Sequence, residues 1–437
     1  MSNEIKIGDY VVIQKQNYKK LHKFNKADSS ISLGRDTVNL KGIDGCPYFS
    51  VFKMIPKSSK RNRDYTVELA QEAVKLKDEI DIKVSGSDNR NILDDGNSQK
   101  LSASDIETLK SDSNKASDIV GTLINNSNTF HNKTEFSQDK YLRKKEKKYF
   151  EYFQVIKPNL RVISEIMYKL DPGKIQNLRI DTLSQIITMV NIHSEGNHLL
   201  YDSGSNGLVA AALLSVIGKD TNGKLLHMHP GNMSQKQALL AMNFPEEQLN
   251  RCVSVNVYSA LRQFYQGCDT NNGVDKDIQT SENDENPLKR KADETDEHQS
   301  KKMKQEEDEE LVESLDKTDG DKPRGNKKPK WHFDNIAASE ILQNKMDSLV
   351  IACKEDPQNI FNELVSFVKP GRPFVIYYSA VEPLQQLYLT LRPRANVAAL
   401  KLTCNWMRNY QVLPERTHPE VTMNGASGYL LSGYVLK

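Results

Sequence analysis

The chain has 437 residues, the length of about three domain-sized units. Its 60 Lys and Arg against 58 Asp and Glu leave a formal charge of +2, and 37% apolar residues is low for a uniformly packed globule. No run of about 18 apolar residues occurs, so no transmembrane helix is predicted. The segment 1–13 lacks the apolar centre of a signal peptide. Five cysteines without a CxxC pair argue against a disulfide scaffold and a Cys-based zinc site, and fit a reducing compartment.

Strands come first in the chain. Residues 9–14 and 47–52 are β-rich, and Gly34, Gly42 and Gly45 punctuate turns between them, so residues 1 to about 55 read as a small antiparallel barrel. Residues 56–130 are more polar. Ser104 and Glu107 have capping-box spacing and predict a helix start. A second helix is predicted over 134–153. It carries Lys140, Arg143, Lys144, Lys145, Lys147 and Lys148 against one acid, Glu146, in nine residues. That density self-repels on a free helix and calls for an anion. The neighbouring Tyr141, Tyr149, Phe150, Tyr152 and Phe153 read as core.

Beyond about residue 190, strands and helices alternate. Strands are predicted at 198–202, 225–229, 253–257, 347–352, 373–378, 397–402 and 429–436. A glycine-containing turn and apolar helix fill 204–218, and further helices fall at 235–242, 359–368 and 383–391. This rhythm implies a doubly wound α/β sheet. It is interrupted at 271–330, where 18 acids and 13 bases accompany eight apolar residues and no aromatic. Such a stretch cannot bury enough apolar surface to offset chain entropy and reads as a disordered insertion. Without it the chain keeps 47 bases and 40 acids, a charge of +7, which suits an anionic partner. Within it, Lys289-Arg290 and, ten residues later, Lys301-Lys302-Met303-Lys304 have bipartite nuclear-localisation spacing.

The first turn of the sheet is the diagnostic place for a nucleotide. Such a site needs glycines where backbone meets ligand and an acid at the end of the second strand for ribose hydroxyls. Here Asp202-Ser203-Gly204-Ser205-Asn206-Gly207 puts Asn206 at a glycine position, and the second strand ends His227-Met228-His229 without an acid. A structural turn in a fold that has lost its cofactor fits better than a working site. His227 and His229 share a strand face, but no third metal ligand is evident, and no metal site is expected. Cys404 reads as a core thiol rather than a nucleophile.

Several segments together carry a resemblance. DNRNILDDGNSQKL (88–101), TFHNKTEFSQDKY (129–141) with its lysine tail, PGKI (172–175), LRIDTLSQ (178–185), GRPFVIYY (371–378), MRNYQVLPERTHP (407–419) and GYLLSGY (428–434) resemble, in that order, the non-catalytic subunits of tRNA (adenine-58-N1) methyltransferases. The resemblance implies a β-barrel joined to a Rossmann-like methyltransferase domain: 1–155 barrel and helical tRNA-binding linker, 156–270 and 331–437 the two parts of the methyltransferase domain, 271–330 the insertion. It implies a pseudo-enzyme with no cofactor of its own, and the two basic clusters of the insertion add the expectation of a nuclear protein. A homologous catalytic subunit binds S-adenosylmethionine, two such heterodimers form a heterotetramer, and the complex makes 1-methyladenosine in the tRNA T-loop. No membrane partner is expected. The alternative is a self-sufficient S-adenosylmethionine-dependent RNA methyltransferase, which the degenerate turn disfavours.

By the same resemblance, tRNA contacts fall on Arg90, Asn91, Asp94, Asp95, Asn97, Gln99 and Lys100, on Lys144, Lys145, Lys147, Lys148 and Tyr149, on Arg179 and Asp181, on Arg372, and on Arg408, Asn409, Tyr410 and Gln411. Lysines neutralise phosphates without reading sequence. Arginines fork onto phosphate or a base edge. Asn and Gln bond bases or 2′-hydroxyls, and Tyr410 can stack on an unpaired base.

Overall fold

A strand that the sequence reading places in a helix completes the first sheet. In the computed structural model, which describes residues 3–57, 64–72, 85–86, 88, 98–112, 116–149, 151–267, 329–412 and 417–436, the N-terminal strands are β1 (Tyr10–Lys15), β2 (Tyr18–Lys23), β3 (Ser30–Leu33), β4 (Asp36–Asn39), β5 (Val51–Pro56), β6 (Asp64–Ala70) and β7 (Tyr152–Ile156). They form one sheet in the order β2-β1-β7-β5-β6-β4-β3, antiparallel except for β4 with β6. Its edges approach each other, since Lys20 of β2 donates from Nζ to the Ser32 carbonyl of β3 at 3.0 Å. The result is a nearly closed barrel filled by Val11, Ile13, Phe24, Leu40, Phe52 and Phe153.

β7 is a strand because its aromatic and β-branched residues alternate. Phe153 and Val155 point into the barrel, and Phe153 stacks on Phe52 with centroids 5.6 Å apart. The basic helix therefore stops at Tyr149 rather than at 153. Phe150 lies outside the described residues.

Between β6 and β7 the chain leaves the barrel. The helix Ala103–Asp112 is capped two residues earlier than expected: Ser102 Oγ accepts from the Asp105 amide, and Asp105 Oδ2 accepts from the Ser102 amide at 3.0 Å. The helices Ala116–Asn125 and Glu135–Tyr149 pack through Val120, Ile124, Phe130 and Leu142. The basic helix is thus held between a small apolar cluster and the barrel strand that follows it.

The second sheet contains β8 (Asn197–Asp202), β9 (Lys224–His229), β10 (Cys252–Asn256), β11 (Ser348–Ala352), β12 (Pro373–Tyr378), β13 (Val397–Trp406) and β16 (Ala426–Val435). Its order is β10-β9-β8-β11-β12-β16-β13. The first five run parallel, and β16 inserts antiparallel between β12 and β13. This is the Rossmann-like methyltransferase topology. Helices Leu160–Leu170, Ile180–Val190 and Leu208–Ile217 cover one face. Helices Val257–Gln266, Lys330–Gln343, Pro357–Leu364 and Glu382–Leu391 cover the other. Residues 268–328, with most of the charged insertion and both basic clusters, lie outside the described residues. No helix among the described residues is long and apolar enough to cross a membrane.

The barrel is tied to this sheet by Asn243. Its side-chain amide accepts from the Tyr10 amide at 2.8 Å and donates to the Tyr10 carbonyl at 2.7 Å. β13 and β16 continue past the sheet into a loop carrying a two-stranded hairpin, β14 (Tyr410–Gln411) with β15 (His418–Pro419). Because Trp406 pairs with Ala426, and Tyr429 with Tyr378 at the end of β12, this loop rises from the carboxyl edge of the parallel strands.

Candidate nucleic-acid interface and a degenerate nucleotide turn

In a doubly wound sheet, ligands bind at the carboxyl edge where the strand order reverses, here between β8 and β11. The turn after β8 sits there. Asp202 is buried, and its carboxylate accepts from the amides of Gly204 and Ser205 at 3.0 and 2.8 Å and from the Ser205 hydroxyl. Burial raises its pKa against those hydrogen bonds. Asn206 adopts the left-handed conformation a glycine would take, φ 56°, and its amide donates to Gln237 Oε1 at 2.7 Å.

Other parts of the chain approach the two glycines of the turn closely. A methyl group on Gly204 would collide with the end of Lys354 and the Gln176 amide. Gly207, at φ 77°, lies under backbone: a Cβ there would stand 2.8 Å from the Gln235 carbonyl. Where an acid would hold ribose hydroxyls stands His229, 6% exposed and under the influence of Lys236. The end of β9 supplies no carboxylate for ribose hydroxyls, and side chains from two distant segments, Gln176 and the exposed Lys354, stand beside Gly204.

His227 and His229 are both buried, with ring centroids 6.1 Å apart. Burial depresses both pKa values, that of His227 to about 3. Among the described residues no group of three or more His, Cys, Asp or Glu could hold a metal ion.

A second feature joins two of the expected tRNA-contacting segments. Phe136, Asp139, Lys140 and Arg143 on the helix Glu135–Tyr149 face Gln411, Thr417 and His418 of the hairpin loop across a cleft of about 510 Å³. The helix residues recur at the spacing that places side chains on one helical face. The opposite face packs inward through Gln138, Tyr141, Leu142 and Tyr149, and burial raises the pKa of both phenols. Lys144 is exposed. Lys145 is half-buried, with Nζ 5.1 Å from the Tyr141 ring centroid. The side chains of Lys147 and Lys148 lie outside the described ones. In the hairpin, Gln411 pairs with His418 and Tyr410 with Pro419, so Tyr410, 56% exposed, is on the face away from the cleft. Asn409 is exposed and its amide donates to Glu420 Oε2 at 3.4 Å, while Arg408 is half-buried.

Other expected residues are placed elsewhere. Arg90, Asn91, Asp94, Asp95 and Asn97 lie outside the described residues. Lys100 is exposed, whereas Gln99 donates its amide to the Leu123 carbonyl at 3.1 Å. Arg179 corrects the expectation of an RNA-facing fork. It is 4% exposed; Nε and Nη2 donate to the two Asp181 oxygens at 2.7 and 2.8 Å, and the guanidinium also reaches the carbonyls of Asn424 and Gly425. Burial pushes the Asp181 carboxyl up, but the Arg179 fork outweighs it and holds the pKa below the ordinary carboxylate value. The pair braces the base of the hairpin loop. Arg372 precedes β12, at the amino edge of the parallel strands, and binds Asp347 at 3.2 Å. It is therefore on the opposite edge from the hairpin. Cys404 is exposed, not a core thiol, because β13 is an edge strand whose alternate residues face solvent.

Phe136, Asp139, Lys140, Arg143 and His418 were not among the expected contacts. The helical spacing of the first four is readable in sequence. Their apposition to the hairpin is not.

Fold and site together define a two-part protein: a β-barrel bearing a basic helix, and a Rossmann-like methyltransferase domain whose nucleotide turn carries Asn206 at a glycine position and no acid at the end of β9. The chain belongs to the Gcd10p family, whose model matches residues 4–317. It is 32% identical over 449 positions to the tRNA (adenine(58)-N(1))-methyltransferase non-catalytic subunit TRM6 of Mus musculus, covering 98% of this chain and 88% of the relative. It is 30% identical to the corresponding trm6 subunit of Dictyostelium discoideum, covering 99% of this chain and 79% of that one. Among solved structures it is similar to the tRNA (m1A58) methyltransferase TrmI of Aquifex aeolicus, with 13% identity, a TM-score of 0.44 and 100% of both chains covered.

Proposed function

We propose that this chain is the non-catalytic, tRNA-binding subunit of the complex that methylates N1 of adenine 58 in the tRNA T-loop. The observation that carries this reading is the pairing of a degenerate nucleotide turn with an open basic cleft. The turn has Asn206 at a glycine position and His229 where an acid is expected, while Lys140 and Arg143 line the cleft against the hairpin and Lys144 is exposed on the same helix.

On this reading the chain binds no cofactor. A homologous catalytic subunit holds S-adenosylmethionine, which supplies the methyl group. This chain's residues bind and orient the RNA. Exposed lysines of the basic helix neutralise phosphates, and Asn409 and Gln411 lie on a loop able to bond bases or 2′-hydroxyls. Two heterodimers form a heterotetramer, and the basic clusters of the insertion direct the protein to the nucleus.

The test is methyl transfer to unmodified tRNA by this chain alone, the catalytic partner alone, and the two together. Activity only in the mixture, at N1 of adenine 58, is the expected outcome. Activity from this chain alone would overturn the reading and favour a self-sufficient methyltransferase.

A further inference from the structure

The cleft between the basic helix and the β14–β15 hairpin is concave and partly open to solvent. Its volume of about 510 Å³ lies within the range of about 300–1,000 Å³ typical of small-ligand sites.

The two walls differ in chemistry. Cross-strand pairing sets Gln411 and His418 side by side on the cleft face of the hairpin. The Gln411 amide offers two donors and an acceptor. His418 Nδ1 stands 3.0 Å from the Pro419 carbonyl. The imidazole brings ring nitrogens able to hydrogen-bond a base edge. On the helix wall, Asp139 is paired with Arg143 at 2.9 Å, which leaves Lys140 as the net cation, with Phe136 as apolar surface beside it. One wall thus has planar groups suited to a base edge, and the other has a cation suited to a phosphate. Single nucleotides splayed out of an RNA fold are read by this combination.

We propose that the cleft receives one unpaired nucleotide of the bound RNA, with its base against Gln411 and His418 and its phosphate toward Lys140. This rests on the tRNA-binding reading above and adds to it a discrete nucleotide site.

The complex with the catalytic subunit is titrated with unmodified tRNA over a series of salt concentrations, using wild type, Gln411→Ala, His418→Ala, Lys140→Ala and Lys144→Glu. Both hairpin variants are expected to weaken binding about tenfold, the scale of losing one base contact, with the salt slope unchanged. Lys140→Ala is expected to make the slope shallower by about 0.7–0.9. Base-specific chemical probing should show one unpaired nucleotide shielded in the wild-type complex and exposed by His418→Ala. Wild-type affinity and an unchanged footprint in both hairpin variants, with Lys144→Glu still impaired, would overturn the nucleotide site and leave the tRNA-binding subunit standing. No effect from any of the four variants would overturn both.

Discussion

Replacing Arg179 with alanine separates bracing the hairpin loop from touching RNA. The guanidinium donates to both Asp181 oxygens and to the carbonyls of Asn424 and Gly425, and only 4% of the residue is exposed. Alanine strands one carboxylate and two carbonyls. Removing one partner of a buried ion pair costs about 3–5 kcal/mol. The Asp181 side chain is 27% exposed, and water recovers part of that loss, which leaves about 2–3 kcal/mol. For a domain of this size each kcal/mol moves the thermal midpoint by about 2–4 °C, so Arg179→Ala is expected to lower it by about 4–12 °C. Asp181→Asn keeps the shape but loses the charge, and should fall between the variant and wild type. Thermal unfolding followed by circular dichroism measures this. tRNA titration of the folded variant over several salt concentrations should return the wild-type slope, because this fork faces inward. An unchanged midpoint together with a slope shallower by about 0.7–0.9 would refute the reasoning and put the guanidinium on a phosphate.

Lys140→Glu combined with Lys144→Glu should weaken tRNA binding and reduce the salt slope by at least about 1.4–1.8, with no change in thermal midpoint, since both side chains are exposed. Deleting 275–325 should leave partner capture and methyl transfer intact while a fluorescent fusion leaves the nucleus; lost partner binding would show that the insertion does more than connect and direct. Burial depresses the pKa of His198 to about 4 and that of His227 to about 3, from 6.5. Between pH 6.5 and 4 the unfolded chain therefore binds protons that the folded chain does not, and stability should fall as pH drops through that window. Denaturant unfolding at pH 7.5, 6 and 5 measures the fall, which should be smaller in His198→Gln; a flat profile would contradict the burial of these rings.

Much of the second sheet is readable because its central strands are buried on both faces and appear as short apolar runs. β12 coincides with the expected 373–378, and β11 falls inside 347–352. Two elements show where that signal ends. β7 is aromatic and adjoins a helix, and helical and strand patterns coincide over so short a run; only Phe52 across the barrel decides it. The helix Lys330–Gln343 follows a charged tract, and Pro329 at its start makes no side-chain cap bond, so no local signal marks its beginning. It forms because Ala338, Ile341 and Leu342 bury against the sheet.

The site divides in the same way. Asn206 and the missing acid are local facts, and they point to a degenerate turn. What stands beside Gly204 is non-local, since Gln176 precedes the first parallel strand and Lys354 follows the fourth. Arg179 and Asp181 mislead for the opposite reason: residues two apart can answer each other, and this pair does.

The carboxyl edge of the sheet carries, besides the loops after β9 and β10, those that follow β8, β11, β12 and β13. The first three close on one another. The Ser203 hydroxyl donates to Glu355 at 2.6 Å, the Lys354 amide donates to Ser203 Oγ at 2.9 Å, and the Tyr378 hydroxyl donates to the Lys354 carbonyl at 3.0 Å. The fourth turns away from them to the basic helix, braced at its base by Arg179. One edge of a methyltransferase-type sheet is thus divided into a part where three loops are joined by hydrogen bonds and a part that faces the basic helix. Those bonds join residues far apart in the chain, so the division belongs to the folded sheet edge and to no single segment.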